Sequence, residues 1–307
     1  MKLMKLNLTN LLLACAVVAL SGSCKQAEKK TSQDDKFLAG TATFVADDSF
    51  SPIIDEEAYI FKAAYVDANP IIKYKPEALV VNSLINDSVR VAILARELDT
   101  AEVGIFKRRT LPPVITKFAT DAVALIINQA SNDTTITVSE IVKMLNGQSQ
   151  TDKSIVFDNP NSSLVRYLKQ LSGNKDFKQK NIYSLKSNKE VIRYVSTHPD
   201  AIGITGFSWL NDPDKDYADA VDKVKIVGVR DEKSKSAPGE YFKPSQSTLV
   251  QKTYPLSRSL YLVDCTGKKG LGAGFASFLA SERGQRIILK SGLLPEVIPS
   301  REINITH

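Results

Sequence analysis

Two short stretches place hydroxyls and amides in the same setting. Asp47-Asp48-Ser49-Phe50-Ser51-Pro52 follows Thr43-Phe44-Val45-Ala46, which alternates as a strand does. It precedes Ile53, Ile54, Ala58, Ile60 and Phe61, which fall near helical spacing, with Asp55, Glu56 and Glu57 in the first turn. Asp158-Asn159-Pro160-Asn161-Ser162-Ser163 follows the strand-like Ile155-Val156-Phe157 and leads into Leu164, Val165, Tyr167, Leu168 and Leu171. Strand, polar loop, then helix N-terminus describes a seat for an anion. The first N–H groups of a helix have no internal partner and carry the positive end of its dipole. Ser49 adds a hydroxyl donor to the first seat. Asn161, Ser162 and Ser163 add side-chain and backbone donors to the second, and Arg166, one turn in, faces either the loop or solvent. Capping is the plainer reading of each loop taken singly, with Asp48, Ser49 or Ser51 as the first cap. Two loops of the same kind in one chain favour the anion.

The composition admits this and excludes other chemistries. The chain has 307 residues, 43% of them hydrophobic and 24% charged, which is enough apolar material for two cores. Net charge is +6, but the lysines and arginines are dispersed, whereas a nucleic-acid partner needs a concentrated stripe. The excess suits attraction of small anions. Cys15 and Cys24 lie near the start, so Cys265 has no internal disulfide partner in the body. His198 and His307 are far apart in sequence, and no metal-ligand spacing occurs, so no metal or cofactor is expected. Gly270-Leu271-Gly272-Ala273-Gly274 lacks the dinucleotide spacing and reads as a flexible turn before a helix. Gly267-Lys268 is not a P-loop, and no G-x-S-x-G is present. Without a nucleophile–base pair, the chain reads as a binding protein rather than an enzyme.

The elements that must hold the two loops alternate. After residues 43–46, Ile71–Tyr74 reads as a short strand, 77–86 as a helix, Val89–Leu94 as a strand, and Asp99 onward as a helix. Pro112–Phe118 reads as an extended link, and Ala122–Asn128 as a buried strand crossing into a second domain. A helix begins at Thr137-Val138-Ser139-Glu140 and ends at Asn146-Gly147. Residues 188–196 suit a helix, Ala201–Thr205 a strand, 211–219 and 231–239 loops, and Tyr254–Val263 a long return strand. The last helix reads as interrupted at Gly284. Alternation of this kind implies an α/β sheet with ligands at the strand C-termini.

The N-terminus has a different character. Lys2 and Lys5 precede an apolar run, Leu11–Leu20, of signal-peptide length, and Ser21-Gly22-Ser23 leads into Cys24. This reads as a lipoprotein signal, residues 1–24, with Cys24 lipidated. Cys15 fits the local pattern better, but too short an apolar run precedes it. The alternative is an ordinary cleaved signal peptide with an incidental cysteine. Residues 25–39 are polar and read as a flexible tether, so the body would work beside a membrane.

Asp48-Ser49-Phe50-Ser51-Pro52, Asn161-Ser162-Ser163-Leu164-Val165-Arg166-Tyr167-Leu168, Ala201-Ile202-Gly203-Ile204 and Tyr254-Pro255-Leu256 occur in a telling order. Phe275-Ala276-Ser277-Phe278-Leu279, Gly284-Gln285 and Gly292-Leu293-Leu294-Pro295 follow. Together, over about Gly40 to Pro295, they resemble the phosphate-binding lipoproteins of bacterial phosphate ABC transporters. The resemblance implies a type II periplasmic-binding-protein fold, α/β, with two lobes and a two-stranded hinge. Lobe 1 would be 40–122 plus 253–307, lobe 2 would be 123–252, and the hinge would lie near Val123–Asn128 and Gln251–Leu256. Ser49 and the Phe50 N–H would bind the oxyanion from lobe 1, and Ser162 and Ser163 from lobe 2, with Asn161 beside them and Asp48 a further candidate. Arg96 stands where the family often has an aspartate, and would clamp a dianion bidentately. Glu77 lies in the region of a family serine and would oppose an anion unless it pairs with Arg96 or accepts a phosphate proton. The implied function is capture of phosphate or a related oxyanion by a lipid-anchored monomer on the periplasmic side, for delivery to an ABC-transporter permease. The alternative is an oxyanion-sensing or cell-envelope assembly module without a dedicated importer.

Overall fold

A computed structural model describes residues 35–149, 153–235, 237 and 239–299. The expected signal segment with Cys24, most of the tether, and His307 lie outside the described residues. The chain begins as β1 (Gly40–Asp47), α1 (Ser51–Ala64), β2 (Ala68–Lys75), α2 (Glu77–Ile85), β3 (Val91–Leu94) and α3 (Thr100–Arg108). β1 lies between β2 and β3 and runs parallel to both, so the loops after all three strands leave the same end of the sheet. A single 3-10 turn, Asp48–Phe50, links β1 to α1. Ile53, Ile54, Ala58 and Phe61 face the core from α1, and Phe61 meets Phe275 edge-on at 5.1 Å between ring centroids. Asp99 and Glu102 close a reciprocal capping box that starts α3.

β4 (Val114–Asn128) joins the two halves of the molecule. Its first part pairs antiparallel with β11 (Ser257–Asp264), and its second with β8 (Ala201–Gly206) and β9 (Val224–Ile226). With β6 (Ser154–Phe157) and β7 (Ile182–Ser184), the strand order β2-β1-β3-β11-β4-β8-β6-β7 runs through both lobes of a mixed α/β sheet. In the second half, β6 lies parallel to β8 and to β7. α4 (Val138–Leu145), α5 (Ser163–Ser172) and α6 (Asn188–Thr197) accompany these strands. β5 (Thr135–Thr137) and β10 (Gly228–Arg230) pair separately. Short helices α7 (Ser208–Asn211), α8 (Ala218–Val221) and α9 (Gln246–Val250) precede the return through β11. The described chain ends with α10 (Leu271–Ala280), α11 (Glu282–Lys290) and β12 (Leu294–Pro295).

The structure corrects several local expectations. Pro112–Phe118 is not a link: from Val114 the chain is already β4, which continues without a break because β11 offers a pairing edge along it. The return strand starts at Ser257, not Tyr254. Tyr254 instead buries its ring and donates its hydroxyl to the Val123 carbonyl at 2.7 Å. The first expected loop, 211–219, is bounded by short helices, α7 ending at Asn211 and the single turn of α8 starting at Ala218. Gly272 and Gly274 stand inside α10, where a flexible turn is expected. A Cβ on Gly274 would lie 1.6 Å from the Phe37 carbonyl oxygen, so the glycine lets residues 35–39 pass against the helix. Asp35 accepts the Leu271 N–H at the start of that helix, which ties down the end of the expected tether. The helix break falls at Ser281 rather than Gly284, because the Ser281 hydroxyl caps α11 by accepting the Gly284 N–H. Among the described residues no helix is long and apolar enough to cross a membrane.

Candidate anion-binding site

The two expected loops meet. Ser49 ends up opposite Ser163 because β1 and β6 stop on the same side of the molecule and each is followed by a helix. The Ser49 and Ser163 hydroxyl oxygens are 2.9 Å apart, and both residues are fully buried. Ser163 is the first residue of α5, so its N–H is one of the unpaired donors of that helix end. That N–H is taken by Asp47 Oδ2 at 3.0 Å, while Asp47 Oδ1 accepts the Ser49 N–H at 2.8 Å. One carboxylate thus spans the donors of both halves.

Arg258 of β11 supplies the cation at this point. Its Nη1 donates to the Ser163 hydroxyl at 2.6 Å, and its Nε and Nη2 both donate to Asp121 Oδ2 at 3.0 and 2.8 Å. The guanidinium also sits over the Phe50 ring, 5.7 Å from its centroid. Burial works against the Arg258 charge, but Asp121, Asp47 and Asp158 outweigh it and keep its pKa above the ordinary arginine value. The sequence reading missed this pair. The signal was present as one arginine alternating with Leu260 and Leu262 on the buried face of a strand, and one aspartate beside the apolar run 122–127. Lone charges in such runs are buried only in pairs.

The remaining candidates divide between the cap of α5, the carboxyls of Asp158 and Asp48, and a separate cluster around Arg96. Ser162 is the N-cap of α5: its hydroxyl accepts the Val165 N–H at 3.2 Å and donates to Asp158 Oδ1 at 2.5 Å. Asn188 donates to the other Asp158 oxygen at 3.2 Å. Burial pushes the Asp158 carboxyl well above the usual carboxylate range; the Ser162 hydroxyl opposes this, and the charges of Asp47 and Asp48 add to it. Asp48 is raised to about 7, first by burial and then by the neighbouring Asp47 charge. Its Oδ1 is buried without a partner. The Ser49 carbonyl accepts the Trp209 indole N–H at 2.7 Å, a further bond between the halves. Gly206, at the end of β8, permits this approach, since a Cβ there would lie 2.9 Å from the same carbonyl oxygen.

Arg96, Glu77, Arg166 and Asn161 gather apart from the serine pair. They line a cavity of about 430 Å³ together with Glu102, Lys169 and Ser162. The Arg96 guanidinium is held by both Glu102 oxygens, at 2.7 and 2.8 Å, and its Nε lies 3.8 Å from Glu77. Arg166 bonds Glu77 through its Nε and donates to the Ala95 carbonyl at 3.2 Å. The Asn161 carbonyl accepts the Ala78 N–H, from the first turn of α2, at 3.1 Å. The Arg166 and Asn161 contacts also cross from one half to the other, whereas those of Arg96 stay within the first. Arg96 therefore has a capping-box carboxylate as its partner, because Glu102 stands one turn into the next helix with both oxygens facing it.

Comparison with known proteins follows the same lines. A protein from Borreliella burgdorferi, the phosphate-binding protein PstS, is 27% identical over 264 residues, 80% of this chain and 86% of that one. A provisionally assigned phosphate ABC transporter substrate-binding protein from Clostridium perfringens, solved with bound phosphate, superposes with a TM-score of 0.69 at 19% identity. That match covers 83% of this chain and 99% of the other. An ABC-type phosphate transport receptor from Vibrio cholerae gives a TM-score of 0.62 at 18% identity, covering 82% and 99%. The model of the PBP superfamily domain matches residues 29–283, and with the two-lobed sheet described above the chain belongs to the PBP superfamily.

Proposed function

We propose that this chain captures an inorganic oxyanion, phosphate foremost, and presents it to an ABC-transporter permease without performing chemistry on it. One observation carries the reading: the Ser49 hydroxyl, in the turn that leads into α1, faces the Ser163 hydroxyl, at the start of α5, across the halves at 2.9 Å, with the Arg258 guanidinium on the Ser163 hydroxyl. Ser49, the Phe50 N–H, Ser163 and Arg258 form the seat. Ser162 and Asp158 shape the α5 end, and Arg96, Glu77, Arg166 and Asn161 form the cleft edge. The names of the relatives support the same ligand. Lobe 1 comprises 40–122 and 253–307, and lobe 2 comprises 123–252. The crossing at Val123 and Leu256, whose backbones bond at 2.8 Å, supports a hinge there. The protein works as a monomer on the periplasmic side of a bacterial membrane, anchored through Cys24.

Calorimetry on the full-length chain, stripped of carried-over ligand, tests this with phosphate, sulfate and molybdate. Saturable phosphate binding that weakens on Ser163→Ala is the expected result. Failure of all three ions to bind would refute it. A second reading, a sensing or envelope-assembly module of the same fold, is favoured by the Asp47 carboxylate already lying on both backbone donors. Failure of all three ions would favour that module, and a membrane partner other than a permease would support it.

A further inference from the structure

Asp47 engages donors that an oxyanion would need. Its Oδ1 accepts the Ser49 N–H at 2.8 Å and its Oδ2 accepts the Ser163 N–H at 3.0 Å, one donor from each half of the molecule. Asp47, Ser49 and Ser163 are completely buried, and the Arg258 Nη1 stands 2.6 Å from the hydroxyl of the same Ser163. Two oxygens of one planar group, one on a backbone N–H of the 3-10 turn before α1 and one on the first N–H of α5, reproduce the edge that an oxyanion presents. The Asp47 backbone, at φ −64° and ψ 129°, is ordinary extended chain, so the carboxylate reaches this position without strain. Its neighbours reinforce the closure: Ser49 also receives the Trp209 N–H from the second half at 2.7 Å.

We propose that Asp47 is the chain's own anion, seated across the two lobes where an oxyanion ligand binds, so that it draws the cleft shut and an incoming oxyanion must displace it. This rests on the oxyanion reading above. A binding-competent state then requires the Asp47 side chain to leave the seat, and the apparent affinity falls by the fraction of molecules in which it has left. Asp47 is thereby a determinant of how strongly the site binds, and no ligand is needed to bring Ser49 and Ser163 together.

The test compares the full-length chain with Asp47→Ala, both stripped of ligand, using inorganic phosphate as the probe. Calorimetry gives affinity, and the emission of Trp209, the single tryptophan, reports closure through its contact with Ser49. Asp47→Ala is expected to bind phosphate at least about tenfold more tightly than the parent. Its tryptophan emission is expected to be red-shifted without phosphate and to return on addition, while the parent's stays at the buried position throughout. Equal or weaker phosphate binding by Asp47→Ala would overturn the inference and leave the oxyanion reading standing. Absence of phosphate, sulfate and molybdate binding in both proteins would overturn both. Should Asp47→Ala fail to fold, the parent decides alone: unchanged emission while calorimetry records phosphate binding supports the inference, and a phosphate-driven blue shift overturns it.

Discussion

Glu57 offers a test of how far α1 can be trusted as the platform of the first anion seat. It lies in the middle of that helix, fully buried, and neither carboxyl oxygen has a hydrogen-bond partner. Burial, with a smaller contribution from the Glu56 charge, raises its pKa from 4.5 to about 9. The folded chain therefore holds this proton more tightly than the unfolded chain, and stability must fall as pH rises from the lower value toward the upper one. The stabilising preference is complete below pH 4.5 and gone above about pH 9. Between pH 4.5 and pH 8 the loss accumulates at about 1.4 kcal/mol per pH unit; with local relaxation it amounts to about 3–5 kcal/mol. Glu57→Met replaces the group with an apolar side chain of similar reach. At pH 5 the variant should gain only the about 1–3 kcal/mol of removing an unpaired neutral carboxyl. At pH 8 it should gain several kcal/mol more, a rise in melting temperature of about 10 °C for a body of this size. Urea unfolding followed by circular dichroism at pH 5, 6.5 and 8 gives the difference directly, and subtraction cancels every other titrating group. A gap between parent and variant that does not change with pH would refute the argument, because it would mean that Glu57 does not titrate on folding.

Three further outcomes follow from the same geometry. Arg258→Met should destabilise the chain by about 3–5 kcal/mol, because Asp121 is left buried without its partner, and should abolish oxyanion binding. Adding Asp121→Leu should recover most of the stability but none of the binding, as read by urea unfolding and calorimetry. Phosphate affinity should decline as pH rises through about 7, where Asp48 ionises beside the seat and repels the ligand. Asp48→Asn should flatten that decline in calorimetric titrations from pH 5.5 to 8.5. Gly274→Ala should expel residues 35–39 from α10, since the added carbon would overlap the Phe37 carbonyl. Limited proteolysis should then cut near Phe37 much earlier than in the parent, and unchanged cutting would count against this docking.

Much of the fold could be read from local patterns because the deciding interactions are local. The α3 and α4 starts follow capping boxes, Asp99 with Glu102 and Thr137 with Glu140, whose partners stand three residues apart. The order strand, loop, helix at Ser49 and at Ser163 is likewise local, and the two loops it singled out are ones that the structure brings together. Where the reading failed, the deciding partner lay far away in sequence. Val114–Phe118 looks like a link until β11, more than a hundred residues later, provides its pairing edge. Gly272 and Gly274 discourage a helix by propensity, yet α10 forms, and the missing side chains leave room for Asp264 and Val91 at the first and for the Phe37 carbonyl at the second, Val91 and Phe37 being distant in sequence. Arg96 reads as a ligand clamp by position, but Glu102, six residues on, meets it with both oxygens. Arg258 and Asp121 are 137 residues apart, and their pairing appears only when β11 lies beside β4.

The charge at the centre of the cleft constrains any account of ligand capture. Asp47, Asp48, Asp121 and Asp158 surround or adjoin the seat, and Arg258 is the cation bonded there. Arg258 is already matched by Asp121, so a phosphate dianion entering without compensation would meet an excess of negative charge in a desolvated space. Two adjustments can remove that excess, namely withdrawal of Asp47 from the seat and protonation of Asp48. They are separable. Withdrawal also takes the Asp47 charge away from Asp48, which that charge helps to hold up, so it moves the pH dependence of binding downward. Protonation makes affinity follow the Asp48 carboxyl through about pH 7. Affinity measured against pH in Asp47→Ala and Asp48→Asn, and in the double variant, therefore apportions the work between them. Additive changes would mean that the two carboxylates act independently. Loss of the Asp48 effect once Asp47 is removed would mean that Asp48 matters chiefly by relieving repulsion from the seated anion.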